Sequence, residues 1–258
     1  MKRPLKRQRH PKLVVYTAIT GSYDILSPPP SHWLGLADFV AFVDAGGEGN
    51  GWTTRPIHRA FEDPCRNAKI HKLLPHIYFP GYAYSLWLDG NVSITCLGSP
   101  WDLIAEYLEF DDLAVYRHRY RKCAYKEAFA CIESQKDSVE LIKRQMTKYW
   151  DEGYPMNHGL AECPVILRRH SAKTRKFNEA WYAEICSHSR RDQLSFNYTA
   201  ARLGFNFRYF KGEMSKGTDP MFTWTAPHRS NLADSRDIVQ MPGESGDPIG
   251  VEHAGGDH

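Results

Sequence analysis

Asp89 and Asn91 flank Gly90 inside the run Ser85-Leu-Trp-Leu-Asp-Gly-Asn-Val-Ser-Ile94. Ser85 to Leu88 has the apolar character of a buried strand, and that strand stops on an acid. A carboxylate there must be desolvated unless something cationic meets it. Two oxygen-bearing side chains separated by a glycine can point the same way and share one hard cation. Mg2+ and Mn2+ both take oxygen ligands and keep phosphate oxygens in their shell. A diphosphate neutralised in that way becomes a better leaving group. A plainer reading fits the same residues: Asp-Gly and Gly-Asn are strong turn dipeptides, and the segment can be a hairpin loop.

Other residues could serve an anionic ligand or a hydroxyl acceptor. Arg66, Asn67 and Lys69 lie on an expected helix, and a spacing of three puts Arg66 and Lys69 on one face. Arg offers a bidentate fork and Lys a point charge for phosphate, although a basic helix face is commonly just solvated. Asp192, within Arg191-Asp-Gln193 at an expected helix start, suits a general base or the stabilisation of an oxocarbenium-like centre. An Asp in a first helical turn is also favoured by the helix dipole alone. His118 follows a strand and can touch an acceptor, Glu162 can accept from sugar hydroxyls, and His228 can offer a neutral imidazole to a metal. The plain alternatives are an incidental surface histidine for either His and a surface ion pair for Glu162.

These residues depend on the elements that carry them. Leu13–Ile19, Asp38–Asp44, Arg55–His58, Ser85–Leu88, Leu113–Tyr116, Pro164–Arg168 and Phe205–Phe210 read as strands by apolar content or alternation. Helices are expected over Pro64–Leu74, opened by one proline and stopped by Pro75, and over Pro100–Leu108, Tyr125–Glu133 and Asp137–Trp150. Two more are expected from Ser171 to about Cys186 and from Arg191 to about Gly204. Strand and helix alternate through the first half, which predicts an α/β fold with a mainly parallel sheet flanked by helices. Ligands in such sheets bind beyond the carboxyl ends of the strands. The loops at Thr20–Asp24, Asp44 and Asp89–Asn91 all fall there, which favours the site reading of the Asp89 turn.

Bulk properties narrow the function. With 258 residues and 42% hydrophobic content, the chain can form one domain over 13–240 with a substantial core. Six basic residues precede Leu13, and 27 basic residues face 30 acidic ones in the rest, a formal −3. A basic arm over 1–12, expected to be disordered, on a mildly acidic body is not the footprint of a nucleic-acid-binding domain. Residues 241–258 are also expected to be disordered. No run approaches the roughly 18 apolar residues of a membrane span. The six cysteines are scattered with no Cys-x-x-Cys pair, which argues against zinc and for free thiols in a cytoplasmic setting.

Taken in order, Tyr16-Thr-Ala-Ile-Thr-Gly-Ser-Tyr-Asp24, Arg66-Asn-x-Lys69 leading to Leu73-Leu-Pro-His76, Ser85-Leu-Trp-Leu-Asp-Gly-Asn-Val92, Gly159-Leu-x-Glu162 and Arg191-Asp-Gln-Leu-Ser-Phe196 resemble one family. It is the turgor-regulation-defect and mucilage-related glycosyltransferase-like family, long catalogued as a domain of unknown function, and the resemblance spans roughly residues 13 to 210. That family is similar to GT-A glycosyltransferases. The resemblance implies a Rossmann-like mixed sheet, a nucleotide-sugar donor, and an Asp-x-Asp-type metal turn at Asp89–Asn91 with Asn91 in place of the second acid. It further implies that the first-strand loop, with Thr17, Thr20 and Tyr23, holds the nucleoside. The Asp192-Gln193 pair resembles one found near the anomeric carbon in retaining enzymes. Plant members carry a membrane anchor, which this sequence does not show. The expected activity is metal-dependent glycosyl transfer, with Mn2+ or Mg2+, to a saccharide or lipid-linked acceptor. A nucleotide-sugar or lipid-amide hydrolase (the family has been linked to ceramide hydrolysis) and a non-catalytic carbohydrate-binding domain are the alternatives.

Overall fold

A computed structural model describes residues 11–21, 24–44, 49–214 and 221–225. Its centre is a seven-stranded sheet built from β1 (Leu13–Ile19), β2 (Asp38–Val43), β3 (Thr53–Pro56), β4 (Tyr84–Leu88), β6 (Leu113–Arg117), β7 (Ala161–Arg169) and β8 (Arg208–Tyr209). The strand order is β3-β2-β1-β4-β7-β6-β8. β1 runs parallel to β2 and β4, β2 to β3, and β6 to β8, whereas β7 is antiparallel to both β4 and β6. The sheet is therefore mixed and mainly parallel, as expected.

The helices are α1 (Pro64–Leu73), α2 (Pro75–Tyr78), α3 (Pro100–Tyr107), α4 (Ala124–Glu133), α5 (Val139–Asp151), α6 (Ala172–Ser187) and α7 (Asp192–Leu203). Alternation along the strands feeds two cores. Val15, Leu86, Leu88, Val165 and Leu167 pack with Leu103, Ile104 and Tyr107 of α3 on one face. Val14, Tyr16, Trp87, Val115 and Ile166 pack with Leu73 of α1, Phe177 and Trp181 of α6, and Phe196 of α7 on the other. Both faces are covered, which is why the strands read as nearly continuous apolar runs. Among the described residues, no helix is long and apolar enough to cross a membrane.

Several elements differ from the sequence expectation. β7 begins at Ala161 rather than Pro164, so Glu162 lies in a strand and not in a loop. Its reversed direction follows from its connection: α4 and α5 form a pair that leaves and returns at the same sheet edge, where a single crossover helix would have produced a parallel strand. Pro75 stops α1 and at once opens the short α2, because proline suits a first helical turn. Over Phe205–Phe210 only Arg208–Tyr209 pairs with β6. The alternation there still reports a face, since Phe205, Phe207 and Tyr209 all pack against the α6–α7 core. β5 (Val92–Ile94) leaves the main sheet and forms a separate antiparallel pair with β9 (Phe222–Trp224).

Candidate functional site

Because β1, β2 and β4 are parallel, the segments after Ile19, Val43 and Leu88 share one edge. The reversed β7 starts at that edge, and Asp89 N–H donates to Pro164 C=O at 2.8 Å. The contacts among these loops are close. A Cβ on Gly90 would fall 2.7 Å from Asp24 Oδ2 and 2.9 Å from Ile19 Cγ1, so the turn after β4 needs glycine to lie against the loop after β1. Gly21 N–H donates to Asp44 Oδ2 at 2.6 Å, which ties the first loop to the end of β2. On the far side of the turn, Asn91 C=O accepts from Thr225 N–H at 2.9 Å, beside the β5–β9 pair.

The centre of the site is Lys72, on the same helix as Arg66, Asn67 and Lys69 but not among the residues that the sequence singles out. It is 3% exposed, and its Nζ lies 3.0 Å from Asp89 Oδ1 and 2.8 Å from Asp192 Oδ2. Lys69, one turn earlier on the same face of α1, reaches Asp192 Oδ2 at 2.7 Å. Two ammonium groups and two carboxylates thus form one balanced network, in which a buried charge avoids the cost of standing alone. Asp192 is 5% exposed. Burial raises its carboxyl, but Lys69 and Lys72 overcome that and hold it far below the usual carboxylate range. Burial lowers Lys72, yet Asp192 and Asp89 pull it above the usual lysine value. The spacing of three between Lys69 and Lys72 was the available signal; nothing in the sequence showed that this face points inward.

Tertiary contacts fix each member. Tyr16 Oη donates to Lys72 C=O at 3.1 Å and sets α1 against the sheet. The indole N–H of Trp87 donates to Asp89 Oδ1 at 2.7 Å, so that oxygen is engaged twice. Asp192 stands at the start of α7, whose first nine residues are all buried between β7, α6 and α4. Gln193 is 8% exposed, and its Oε1 accepts from Arg191 Nη2 at 2.9 Å.

The remaining candidates separate by role. Glu162 lies at the start of β7 and is half-buried; burial raises its carboxyl, and the nearby Asp89 and Glu127 charges add to that against Arg119 and Arg121. Thr17 is 2% exposed inside β1, and Thr20 Oγ1 donates to Pro64 C=O at 3.3 Å, joining the first loop to α1. Arg66 bonds the Ile185 and His188 carbonyls at the end of α6. Asn67 accepts from Ala60 and Phe61 N–H, both at 2.9 Å, and donates to Phe61 C=O. His118 Nδ1 accepts from Tyr120 and Arg121 N–H, and burial lowers its pKa despite Glu127. The hydrogen bonds of Arg66, Asn67 and His118 thus go to loops and helix ends. Tyr23 and His228 lie outside the described residues.

A divalent cation can be tested against these side chains. Among the described residues, no three of His, Cys, Asp and Glu gather as ligands. Asp89 Oδ1 is taken by Lys72 and Trp87, so Oδ2 is the carboxylate oxygen a cation would meet. One carboxylate oxygen plus the Asn91 amide oxygen is a donor set suited to a cation that arrives on a diphosphate and completes its shell with phosphate and water.

Known proteins resemble this chain in sequence and, more distantly, in shape. The sequence model of one family, described as TOD1/MUCI70, glycosyltransferase-like domain, matches residues 52–218. A probable hexosyltransferase, MUCI70 of Arabidopsis thaliana, is 31% identical over 157 residues, covering 57% of this chain and 27% of that protein. The alkaline ceramidase TOD1 of Arabidopsis thaliana is 27% identical over 147 residues, 53% of this chain and 31% of that one. The matched segments span less than a third of either relative's length. A glycosyltransferase involved in glycosylation of the major capsid of PBCV-1 superposes with a TM-score of 0.47 at 7% identity, over 88% of this chain and all of that one. The bifunctional glycosyltransferase WbbM gives 0.42 at 9% identity, over 80% and 40%.

Proposed function

The chain belongs to the TOD1/MUCI70 glycosyltransferase-like family, and on that premise we propose that it transfers a glycosyl group from a nucleotide-sugar donor to a saccharide or lipid-linked acceptor. The observation that carries this reading is the Lys69–Asp192–Lys72–Asp89 network at the carboxyl edge of the sheet. In the proposal the donor diphosphate faces Asp89, and the end of β1, which carries Thr17, with the loop after it, which carries Thr20 and Tyr23, holds the nucleoside. Asp89 Oδ2 and Asn91 would hold Mn2+ or Mg2+. When bound, that cation supplies Lewis-acid neutralisation of the leaving diphosphate.

The transferred sugar lies against Asp192 and Gln193. Asp192 is a poor proton acceptor, because two ammonium groups share its Oδ2. Its role is to present a fixed negative charge to an oxocarbenium-like centre, the kind of preorganised electrostatics that needs no reorganisation during reaction. Glu162, whose carboxyl is raised by burial, takes the acceptor side, where it accepts from a hydroxyl. Arg66, Asn67 and His118 support that geometry by bracing its helices and loops. A cytoplasmic setting belongs to the same proposal, because all six cysteines are free thiols.

The test is calorimetric binding of a panel of nucleoside diphosphates with Mn2+ or with chelator, followed by turnover of the matching labelled sugar donor. Asp89→Ala should lower metal-dependent donor binding and transfer by at least about tenfold. Binding and turnover unchanged in that variant would remove the central claim. Free sugar released with no transfer in a broad acceptor screen would move the reading to a hydrolase. Saccharide binding that needs neither nucleotide nor metal would move it to a carbohydrate-binding module.

A further inference from the structure

Arg191 and Gln193 flank Asp192 at the start of α7, and their side chains meet: Arg191 Nη2 donates to Gln193 Oε1 at 2.9 Å. Two residues apart inside a helix, side chains point to different faces and do not meet. This contact exists because Arg191 is the N-cap residue, with extended backbone at φ −75° and ψ 100°, so its side chain folds back along the first turn. The backbone there is pinned as well. Arg191 C=O accepts from Leu194 N–H at 3.1 Å, and Arg191 N–H donates to Ser189 Oγ at 3.2 Å.

The contact decides which way the amide is turned. A guanidinium carries donors only, so the amide atom that meets it must be the oxygen, and the NH2 group is turned away from Arg191. Among the described residues Gln193 Nε2 has no hydrogen-bond partner, and unlike Arg191 Nε it is not sealed from solvent. Gln193 therefore keeps its N–H donors open, while its oxygen, the nucleophilic atom of an amide, is engaged.

Asp192 holds the same residue from the backbone side. Gln193 N–H donates to Asp192 Oδ1 at 3.1 Å, and Lys69 and Lys72 take Oδ2. Both carboxylate oxygens and the amide oxygen are thus engaged, which leaves the Gln193 amide N–H groups as the open polar groups of the pair. Burial disfavours a charged Arg191, but the adjoining Asp192, with Glu127 of α4 adding less, holds it charged. A donor held in place beforehand costs a ligand little ordering when it binds.

We propose that Arg191 is a positioning residue that fixes the Gln193 amide with its N–H donors toward the transferred sugar, where they bond a hydroxyl oxygen and add to donor-sugar recognition. This role rests on the transfer reading above and deepens it. Gln193 serves the sugar as a hydrogen-bond donor, and its amide oxygen is withheld from the anomeric carbon by the guanidinium.

Titration of the full chain with UDP, GDP and ADP, each alone and as its glucose, galactose and mannose esters, with Mn2+ present, tests this. The preferred sugar ester should gain affinity over its bare diphosphate. Gln193→Glu keeps an oxygen for Arg191 and replaces the amide N–H groups with a second oxygen. It should lose about threefold to tenfold of the sugar-dependent gain, the worth of one hydrogen bond, and bind the bare diphosphate as the wild type does. Arg191→Met frees the amide to rotate and should lower kcat by a similar factor of about threefold to tenfold at unchanged diphosphate affinity. Arg191→Lys, which also offers only donors to the amide, should restore part of that loss. Sugar-dependent affinity and kcat kept in full by Gln193→Glu and Arg191→Met, in a chain whose wild type transfers sugar, overturn this role alone. Diphosphate and sugar affinity lost together in both variants also overturn it, since they mark a structural part only. A wild type that binds none of these nucleotides overturns the transfer reading and this role with it.

Discussion

Lys72 decides the chemistry of the site at the scale of single residues. Among the described residues it is the one side chain that ion-pairs with both Asp89 and Asp192, and it joins α1 to the end of β4 and the start of α7. Lys72→Met keeps much of the side-chain volume and removes the charge, leaving the buried Asp192 with Lys69 alone and the partly exposed Asp89 with the Trp87 indole N–H. Breaking one partner out of a buried ion network costs about 3–5 kcal/mol. Urea unfolding should show a loss of that size, and donor binding should fall with it. A variant as stable as the wild type would show that the network does not carry the fold at this edge. The acids were visible in the sequence because one ends a strand and the other starts a helix. Lys72 was not, since a lysine on a helix is exposed by default and only packing reverses that.

At the scale of elements, the edge is built by the contact of two loops. The turn Asp89–Asn91 lies against the loop after β1 because Gly90 lacks a Cβ. Gly90→Ala would place a methyl within 3 Å of Asp24 and Ile19 side-chain atoms, so one loop must move. Overpacking of this kind costs about 1–3 kcal/mol. Calorimetry should show a lowered Tm, and donor binding should weaken more than stability alone explains, since Asp89 shifts with the turn. Unaltered donor binding would mean that the turn does not face the donor. Strand and helix positions were largely readable from period and punctuation. The direction of β7 was not, because apolar content is the same for a parallel and a reversed central strand. That direction brings Glu162 to the Asp89 edge.

The whole molecule should respond to acid through its buried histidines before its carboxylates. Burial, reinforced by His58, lowers His71 to about 3, and burial with Arg168 lowers His170 to about 4. Both native pKa values lie below the ordinary 6.5, so the unfolded chain binds protons first as pH falls. The stability tied to these groups is complete above pH 6.5 and is lost on the way down through about 4 and then about 3. The Asp192 contribution is present above its ordinary 3.8 and fades only below it. Denaturant unfolding between pH 7 and 4.5 should therefore show falling stability with net proton uptake, reduced in a His71→Gln variant that still folds. A flat profile over that range would show that these rings are not held neutral.

The sequence by itself determined the α/β class, most element positions, the strand that stops on Asp89 and the convergence of three loops on one edge. Those follow from local period, turn chemistry and the parallel-sheet rule, all of which are written in near neighbours along the chain. Only the tertiary structure decided that Lys72 is buried between two acids and that Arg66, Asn67 and His118 spend their hydrogen bonds on the framework. It also decided that Arg168 is enclosed with no acid paired to it among the described residues. The surroundings of Lys72, Arg66 and Arg168 depend on contacts between residues more than ten positions apart, and the free energy of a buried charge is set by those partners rather than by its own neighbours in sequence.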